Sequence, residues 1–379
     1  MTIRFVRHEA HLAAALYLAV ALLGFAVLVL INHKLGHGTQ ELLRRWDSAN
    51  YLDIAERGYP REIRYRADGL PEWSRLAFFP LFPALIRALQ LFTGLPFPYA
   101  GAVVVWFAAA VAAAGVHTLV RSIAGRRAGF ACVALWACSP CAFALWVPYS
   151  EAVFSALLIW ALVALLARRW VTAGVLCAFA GLVRPTASVL VGVVMAAAVW
   201  ELWRRRGQWG PQDWRPPAAV ALAPLGLIVS WLYIGSRVGR VDGWFEAERA
   251  WGQSFDFGAG TLAFVRRAAA YQHFDARQGV VLALILLAAA AVVALVLDRS
   301  VPWPLVIALA GAWVLMVGTP GSPFSKPRFM LPFLPIALLL VARPLARAPW
   351  AVRLSLYGCG AVCAGWYAVG LLVVFRQSP

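Results

Sequence analysis

The chain has 379 residues, 62% of them hydrophobic and 13% charged, with a mean hydropathy of +0.74. A soluble domain carries about 25% charged residues, so the composition excludes a soluble globular enzyme, a disordered chain and a basic nucleic-acid binder; the chain is solvated by lipid. The net charge of +17 comes from 34 Lys+Arg against 17 Asp+Glu, and only Lys34 and Lys326 are lysines. Arginine therefore carries the excess, and its rigid fork of donors suits phosphate and carboxylate. Phospholipid head groups and a phosphorylated lipid are the anions this implies. No basic helix or RNA-binding motif interrupts the apolar runs, so no nucleic-acid partner is expected.

The first apolar run, Leu12 to Ile31, has 20 residues without a charge, enough to cross a bilayer core of about 30 Å. Arg4 and Arg7 precede it as in a signal peptide, but the run is too long and no small-x-small cleavage site follows in Asn32–Gly38. It is predicted as an uncleaved first span. Ten more follow: Phe97–Val120, Gly129–Val147, Ala152–Ala167, Val171–Val183, Ala187–Trp203, Ala218–Ile234, Val280–Leu297, Val301–Val317, Phe329–Val341 and Ala351–Val374. Lipid-embedded backbone must satisfy its own hydrogen bonds, so all are read as helices.

Leu76–Phe92 is ambiguous, with two prolines and Arg87. Parity decides it. The short connectors at Arg121–Arg127, Arg168–Arg169 and Arg204–Arg215 are basic and alternate correctly if all lie in the cytoplasm with the N-terminus. Leu76–Phe92 is then an interfacial or re-entrant helix, leaving about eleven spans. The chain reads as an all-α multi-pass protein of the cell membrane, one integral membrane domain over residues 1–379. Two long extracytoplasmic loops cover 32–96 and 235–278. The six cysteines, Cys132, Cys138, Cys141, Cys177, Cys359 and Cys363, all sit in apolar runs and read as small core residues.

The first loop carries RRWDSANYLDIAERGYP, Arg44 to Pro60. Tyr51, Ile54, Ala55 and Gly58 recur at three- and four-residue spacing, which suits a short amphipathic helix on the membrane surface. Asp47 before Ser48 fits a helix N-cap as well as it fits a catalytic acid. Asp53, six residues on, falls on another face, so the two are not a paired-carboxylate metal site. His33 and His37 are four apart, but no third ligand is evident and Gly36 and Gly38 argue for a loop. No metal site and no cofactor is expected.

RWDSANYLDIAERGY followed by AFFPLFP (77–83) resembles the signature of the second mannosyltransferase of glycosylphosphatidylinositol anchor assembly and its bacterial homologues. PYSEAVF (148–154) is similar to that family's YSE segment, GLVRPTA (181–187) to its arginine-bearing helix end, and KPRFMLPFLP (326–335) to its Arg-aromatic motif. The eukaryotic members carry a glutamate shortly before AFFP in a tighter loop, whereas here an insertion, Arg61–Trp73, intervenes.

The resemblance implies a C-type glycosyltransferase fold and an inverting enzyme, most simply a mannosyltransferase. It would take sugar from a polyprenyl phosphate and pass it to a glycolipid, polysaccharide or protein hydroxyl at the extracytoplasmic face, among membrane lipids. Sugar transfer needs a base for the attacking hydroxyl, a role that falls to Asp47. The phosphate leaving group needs fixed positive charge, which Arg184, Lys326 and Arg328 can supply, although a cation at a helix end also snorkels to head groups. Glu151, beside Tyr149, either orients an arginine and binds sugar hydroxyls or simply complements a helix N-terminus. Arg45, Trp46, Tyr51, Glu56 and Tyr59 of the first loop are the remaining substrate-binding candidates, the aromatics serving equally as head-group anchors. In the second loop, DGWFEAERAWGQSFDF (242–257) fits an acceptor groove or an interfacial helix alike. A flippase of lipid-linked sugars and a noncatalytic membrane subunit are the other functions open to such a chain.

Overall fold

The structure is a computed structural model that describes residues 6–206, 210–211, 213–252, 254–271 and 276–375. Arg4, Gln253 and parts of the 204–215 connector and of the second long loop fall outside the described residues. Within them the chain is helical, with a single isolated antiparallel bridge between Tyr65 and Pro71.

The helices run α1 (Arg7–Lys34), α2 (Thr39–Leu42), α3 (Asp47–Arg57), α4 (Leu81–Thr93), α5 (Phe97–Ala124), α6 (Arg126–Ala137), α7 (Glu151–Leu166), α8 (Trp170–Gly181), α9 (Ala187–Arg204) and α10 (Arg215–Leu222). They continue as α11 (Leu225–Val238), α12 (Gly243–Arg249), α13 (Ala259–Ala269), α14 (Ala276–Leu297), α15 (Trp303–Gly318), α16 (Lys326–Met330), α17 (Leu334–Ala337), α18 (Leu339–Leu345) and α19 (Trp350–Val369).

Among the described residues six helices are long and apolar enough to cross a membrane: α1, α5, α9, α10 with α11, α14 and the α19 segment to Val374. The other five predicted spans appear as shorter or broken helices: α6, α7, α8, α15 and the run α16–α18. The prolines explain much of this: Pro327, Pro335 and Pro344 fall inside the last run, and each removes a backbone donor. Helix α4 has 13 residues, about 20 Å at 1.5 Å per residue. It buries Phe82, Pro83 and Ile86 and leaves Leu91 and Phe92 exposed, the one-sided pattern of a surface-lying helix.

Without a hydrophobic force between helices in lipid, close contact falls to small side chains. Helix α5 is the most enclosed long helix, and its buried face is largely alanine and glycine. A Cβ on Gly226 would overlap the Ala178 carbonyl where α11 crosses α8, and one on Gly365 would overlap the Gly24 carbonyl where α19 crosses α1. Cys132, Cys141 and Cys177 are indeed buried, but Cys359 and Cys363 lie exposed on α19. That face looks away from the bundle, where a cysteine is simply a small apolar surface residue.

Ion pairs separate the two ends of the bundle. At the end where α1 starts, Glu9 meets Arg121 at 3.1 Å and Arg126 at 3.2 Å, Arg168 meets Glu201 at 3.0 Å, and Arg343 meets Asp298. Helix direction puts Asp47, Glu151, Arg184, Glu248 and Arg328 together at the other end.

Candidate active site

Asp47 opens α3. The residue before it, Trp46, has φ +53°, a region that a bulky side chain occupies only under strain. Asp47 does not act as the helix N-cap that its sequence context allowed. Trp46 holds the cap position, and no side chain caps the helix. The Asp47 carboxylate turns inward instead and meets Arg328, Nη1 to Oδ2 at 2.6 Å.

From there a polar chain crosses the site. Arg328 Nη1 also lies 3.6 Å from Glu151 Oε1, and Arg184 Nη1 lies 2.8 Å from the same oxygen. Arg184 Nη1 donates to Ser150 Oγ at 2.8 Å, and Ser150 Oγ bonds Tyr51 Oη at 2.7 Å. The two carboxylates and two guanidiniums balance one another. Glu151 has no solvent exposure, and a buried carboxylate survives only when paired. The helix-terminus role for Glu151 is thus secondary to holding both arginines. The Arg328 guanidinium lies 5.0 Å from the Tyr149 ring centre and 5.1 Å from that of Phe329, while Arg184 lies 5.3 Å from Phe329. These aromatic faces support the cations. Arg328 Nε is buried and bonds no protein group.

Asp47, Arg184 and Arg328 line a cavity of about 770 Å³ walled by aromatic residues including Phe78, Trp244 and Phe333. A second, more polar cavity of about 1070 Å³ opens on the loop side, lined by Trp46, Arg57, Tyr59 and Arg75 among others. Asp47, Trp251 and Ser322 belong to both. The carboxylate therefore stands at the junction of the two spaces.

The second long loop contributes more than its composition decided. Helix α12 and the residues after it bring Trp244, Glu248 and Trp251 into the first cavity. Glu248 is half-buried there. Burial pushes its carboxyl up to about 8, against the pull of Arg184 and with a further push from Asp47. Neither Glu248 nor Ser150 stood out in the sequence, since a single glutamate or serine in an aromatic loop carries no spacing signal.

The remaining candidates divide. Tyr51 lines the first cavity, and Trp46 and Tyr59 line the second. The Tyr59 hydroxyl donates to the Phe78 carbonyl at 2.7 Å, so the ring also pins the chain entering α4. Tyr149 lies beneath Arg328 rather than in a cavity wall. Arg45 pairs with Glu41, and Glu56 with Arg44 at 3.3 Å, both outside the cavity linings. Lys326 is buried, and its Nζ donates to the carbonyls of Met316 at 2.8 Å and Thr319 at 2.5 Å. It ties off the end of α15 and does not line either cavity. His33 and His37 bond Thr39 and Glu41.

Among solved structures the chain is similar to ArnT from Cupriavidus metallidurans bound to undecaprenyl phosphate, with 16% identity and a TM-score of 0.53 over 90% of this chain and 62% of that one. It is also similar to the oligosaccharyltransferase of Archaeoglobus fulgidus in complex with Zn and sulfate, with 15% identity and a TM-score of 0.45 over 93% of this chain and 53% of that one. The chain thus spans less than two thirds of either. No curated protein matches it. The likeness to ArnT establishes the C-type glycosyltransferase fold, and with it a membrane protein. The family model described as Mannosyltransferase (PIG-V) matches residues 6–205, more than half of the chain and the part that holds Asp47, Glu151 and Arg184. The chain belongs to the mannosyltransferase (PIG-V) family.

Proposed function

We propose that the protein is an inverting glycosyltransferase that moves mannose from a polyprenyl-phosphate donor to an acceptor hydroxyl at the extracytoplasmic face of the cell membrane, through eleven crossings with the N-terminus inside. The observation that carries this reading is the position of Asp47, which touches Arg328 and faces both cavities. The apolar-walled cavity suits the lipid-linked sugar, and the ArnT of similar fold was solved with undecaprenyl phosphate bound.

Asp47 takes the proton from the acceptor hydroxyl as its oxygen attacks the anomeric carbon from the second cavity. The bond from that carbon to the phosphate oxygen breaks, and its electron pair leaves with the polyprenyl phosphate. One face is attacked while the opposite bond breaks, so the anomeric configuration inverts. The leaving phosphate gains one negative charge in the step. Arg184 and Arg328 are fixed beside it by Glu151, and preorganised charge needs no rearrangement as the reaction proceeds. The free Nε of Arg328 suits a phosphate oxygen.

The test is to incubate the purified protein with synthetic polyprenyl-phosphate mannose and membrane extract and to read products by mass spectrometry. Mannosylated product from the wild type and at least about a hundredfold less from Asp47→Asn is the expected result. A wild type that binds donor but forms no product with any fraction would overturn it.

A further inference from the structure

The second cavity says something about what enters it. Four of its charged residues are already committed: Arg75 holds Asp53 at 2.6 Å, Arg64 and Glu62 pair with each other at 3.2 Å, and Asp47 holds Arg328. Arg57 and Arg61 are different. Both are exposed, both line the cavity, and neither has a hydrogen-bond or ion-pair partner among the described residues. They stand four residues apart, on either side of the bend at Gly58, where φ is +81°. Against them the cavity sets the Glu72 carboxylate, so its uncommitted charge is positive.

Beside these cations, Trp73 and Trp251 stack with ring centres 5.4 Å apart and planes 16° from parallel. Trp73 is 77% exposed. The Trp251 indole is held from behind by its Nε1 bond to the Ser74 carbonyl at 3.3 Å and by the edge of Phe78. A fixed, flat aromatic wall in an otherwise polar, open cavity suits the C–H face of a sugar ring. Residues 61–73 form the outer wall as a small hairpin: Arg66 N bonds Leu70 O, Glu72 N bonds Arg64 O, and Arg240 Nη1 donates to Tyr65 Oη at 2.8 Å. The hairpin is thereby docked on the second loop and its charges are held over the cavity.

We infer that the second cavity selects an anionic saccharide as acceptor, its sugar lying on Trp73 and Trp251 and its phosphate or carboxylate group on Arg57 and Arg61. This rests on the reading of Asp47 as the base, because it is Asp47 that makes this cavity the acceptor side. Two free guanidiniums fix a planar or tetrahedral anion through paired N–H donors. The aromatic wall distinguishes a sugar from a bare lipid head group.

The experiment measures binding by titration calorimetry in detergent free of anionic lipid. The probes are two alkyl disaccharides that differ only in a phosphodiester substituent, and phosphatidylglycerol as a sugar-free anion. The charged disaccharide binds at least about tenfold more tightly than the neutral one, a difference of about 1.4 kcal/mol, and more tightly than phosphatidylglycerol. The double variant Arg57→Gln/Arg61→Gln abolishes that preference while leaving neutral binding and melting temperature unchanged, and Trp73→Ala weakens both disaccharides. Equal affinity for the two disaccharides, a preference that survives in the double variant, or phosphatidylglycerol binding as tightly as the charged disaccharide would each overturn the inference. Sugar transfer from polyprenyl-phosphate mannose is assayed in the same samples. Preferential binding without transfer would keep the anionic-saccharide site but remove the proposed reaction and with it the assignment of that site to the acceptor, whereas transfer without charge preference would keep the reaction and overturn the inference.

Discussion

The Arg328 guanidinium touches the Asp47 carboxylate at 2.6 Å, although the two residues lie 281 positions apart in sequence, 328 less 47. The contact joins the start of the first loop helix to the start of the last broken membrane segment. It puts the proposed base and the cation proposed to bind phosphate in one place, and Glu151 lies between Arg328 and Arg184.

Asp47→Asn keeps the shape of the side chain and removes its capacity to take a proton. Transfer is expected to fall by about 10²–10⁴-fold, the usual contribution of a positioned base. Donor binding, measured by equilibrium retention of a labelled polyprenyl-phosphate sugar, should stay within a few-fold of wild type. Loss of donor binding equal to the loss of transfer would assign Asp47 to binding instead.

Glu151 is wholly buried between two cations. Glu151→Ala leaves Arg184 without its carboxylate partner while Arg328 keeps Asp47, and is expected to cost about 3–5 kcal/mol in unfolding free energy. The pair of changes Glu151→Leu with Arg184→Leu should recover most of that stability and still fail to bind donor. Denaturation in detergent, read alongside donor retention, separates the two effects.

Glu248 gives a pH signature. Its carboxyl stays protonated in the folded protein to about 8, whereas in the unfolded chain it ionises near 4.5. The unfolded state therefore binds fewer protons between those values, and stability falls as pH rises through that window. Glu248→Gln is neutral throughout, so its melting temperature should exceed that of wild type at pH 8. The gap should close as pH drops toward 4.5. A constant gap across the range would show that Glu248 does not titrate there.

The proposed orientation is checked by single cysteines in a cysteine-free background. Asp68→Cys, at the exposed tip of the hairpin, should react with a membrane-impermeant maleimide in intact cells. Arg127→Cys, exposed in the first turn of α6, should react only after permeabilisation. The opposite labelling would move the active site to the cytoplasm.

Much of the site was legible because its residues sit in short, dense strings. The tryptophan-aspartate pair, YSE and the KPRF segment bring Asp47, Glu151 and Arg328 into view one by one, and the fold brings them together. What the strings could not tell is which member of each faces inward. Lys326 and Arg328 are two residues apart in one motif, yet Lys326 spends its ammonium on carbonyls at the end of α15 while Arg328 reaches the acid. Arg45 and Glu56 are equally plausible by neighbourhood and pair locally. Glu248 was illegible for another reason: its character comes from burial beside Asp47 and Arg184, both distant in sequence. The prolines are where the helix ends were hardest to place: periodicity breaks there and the predicted segment Phe329–Val341 falls within a run of three short helices, α16–α18.

The proposed base, placed where two chambers join, is also within reach of water, the smallest hydroxyl nucleophile. The polar chamber is open, so nothing in its shape keeps water from the anomeric carbon while the carrier lipid waits. On the proposed reaction, slow release of free sugar from the carrier is the expected leak of this layout when no acceptor is supplied, and acceptor that fills the chamber is expected to stop it by displacement.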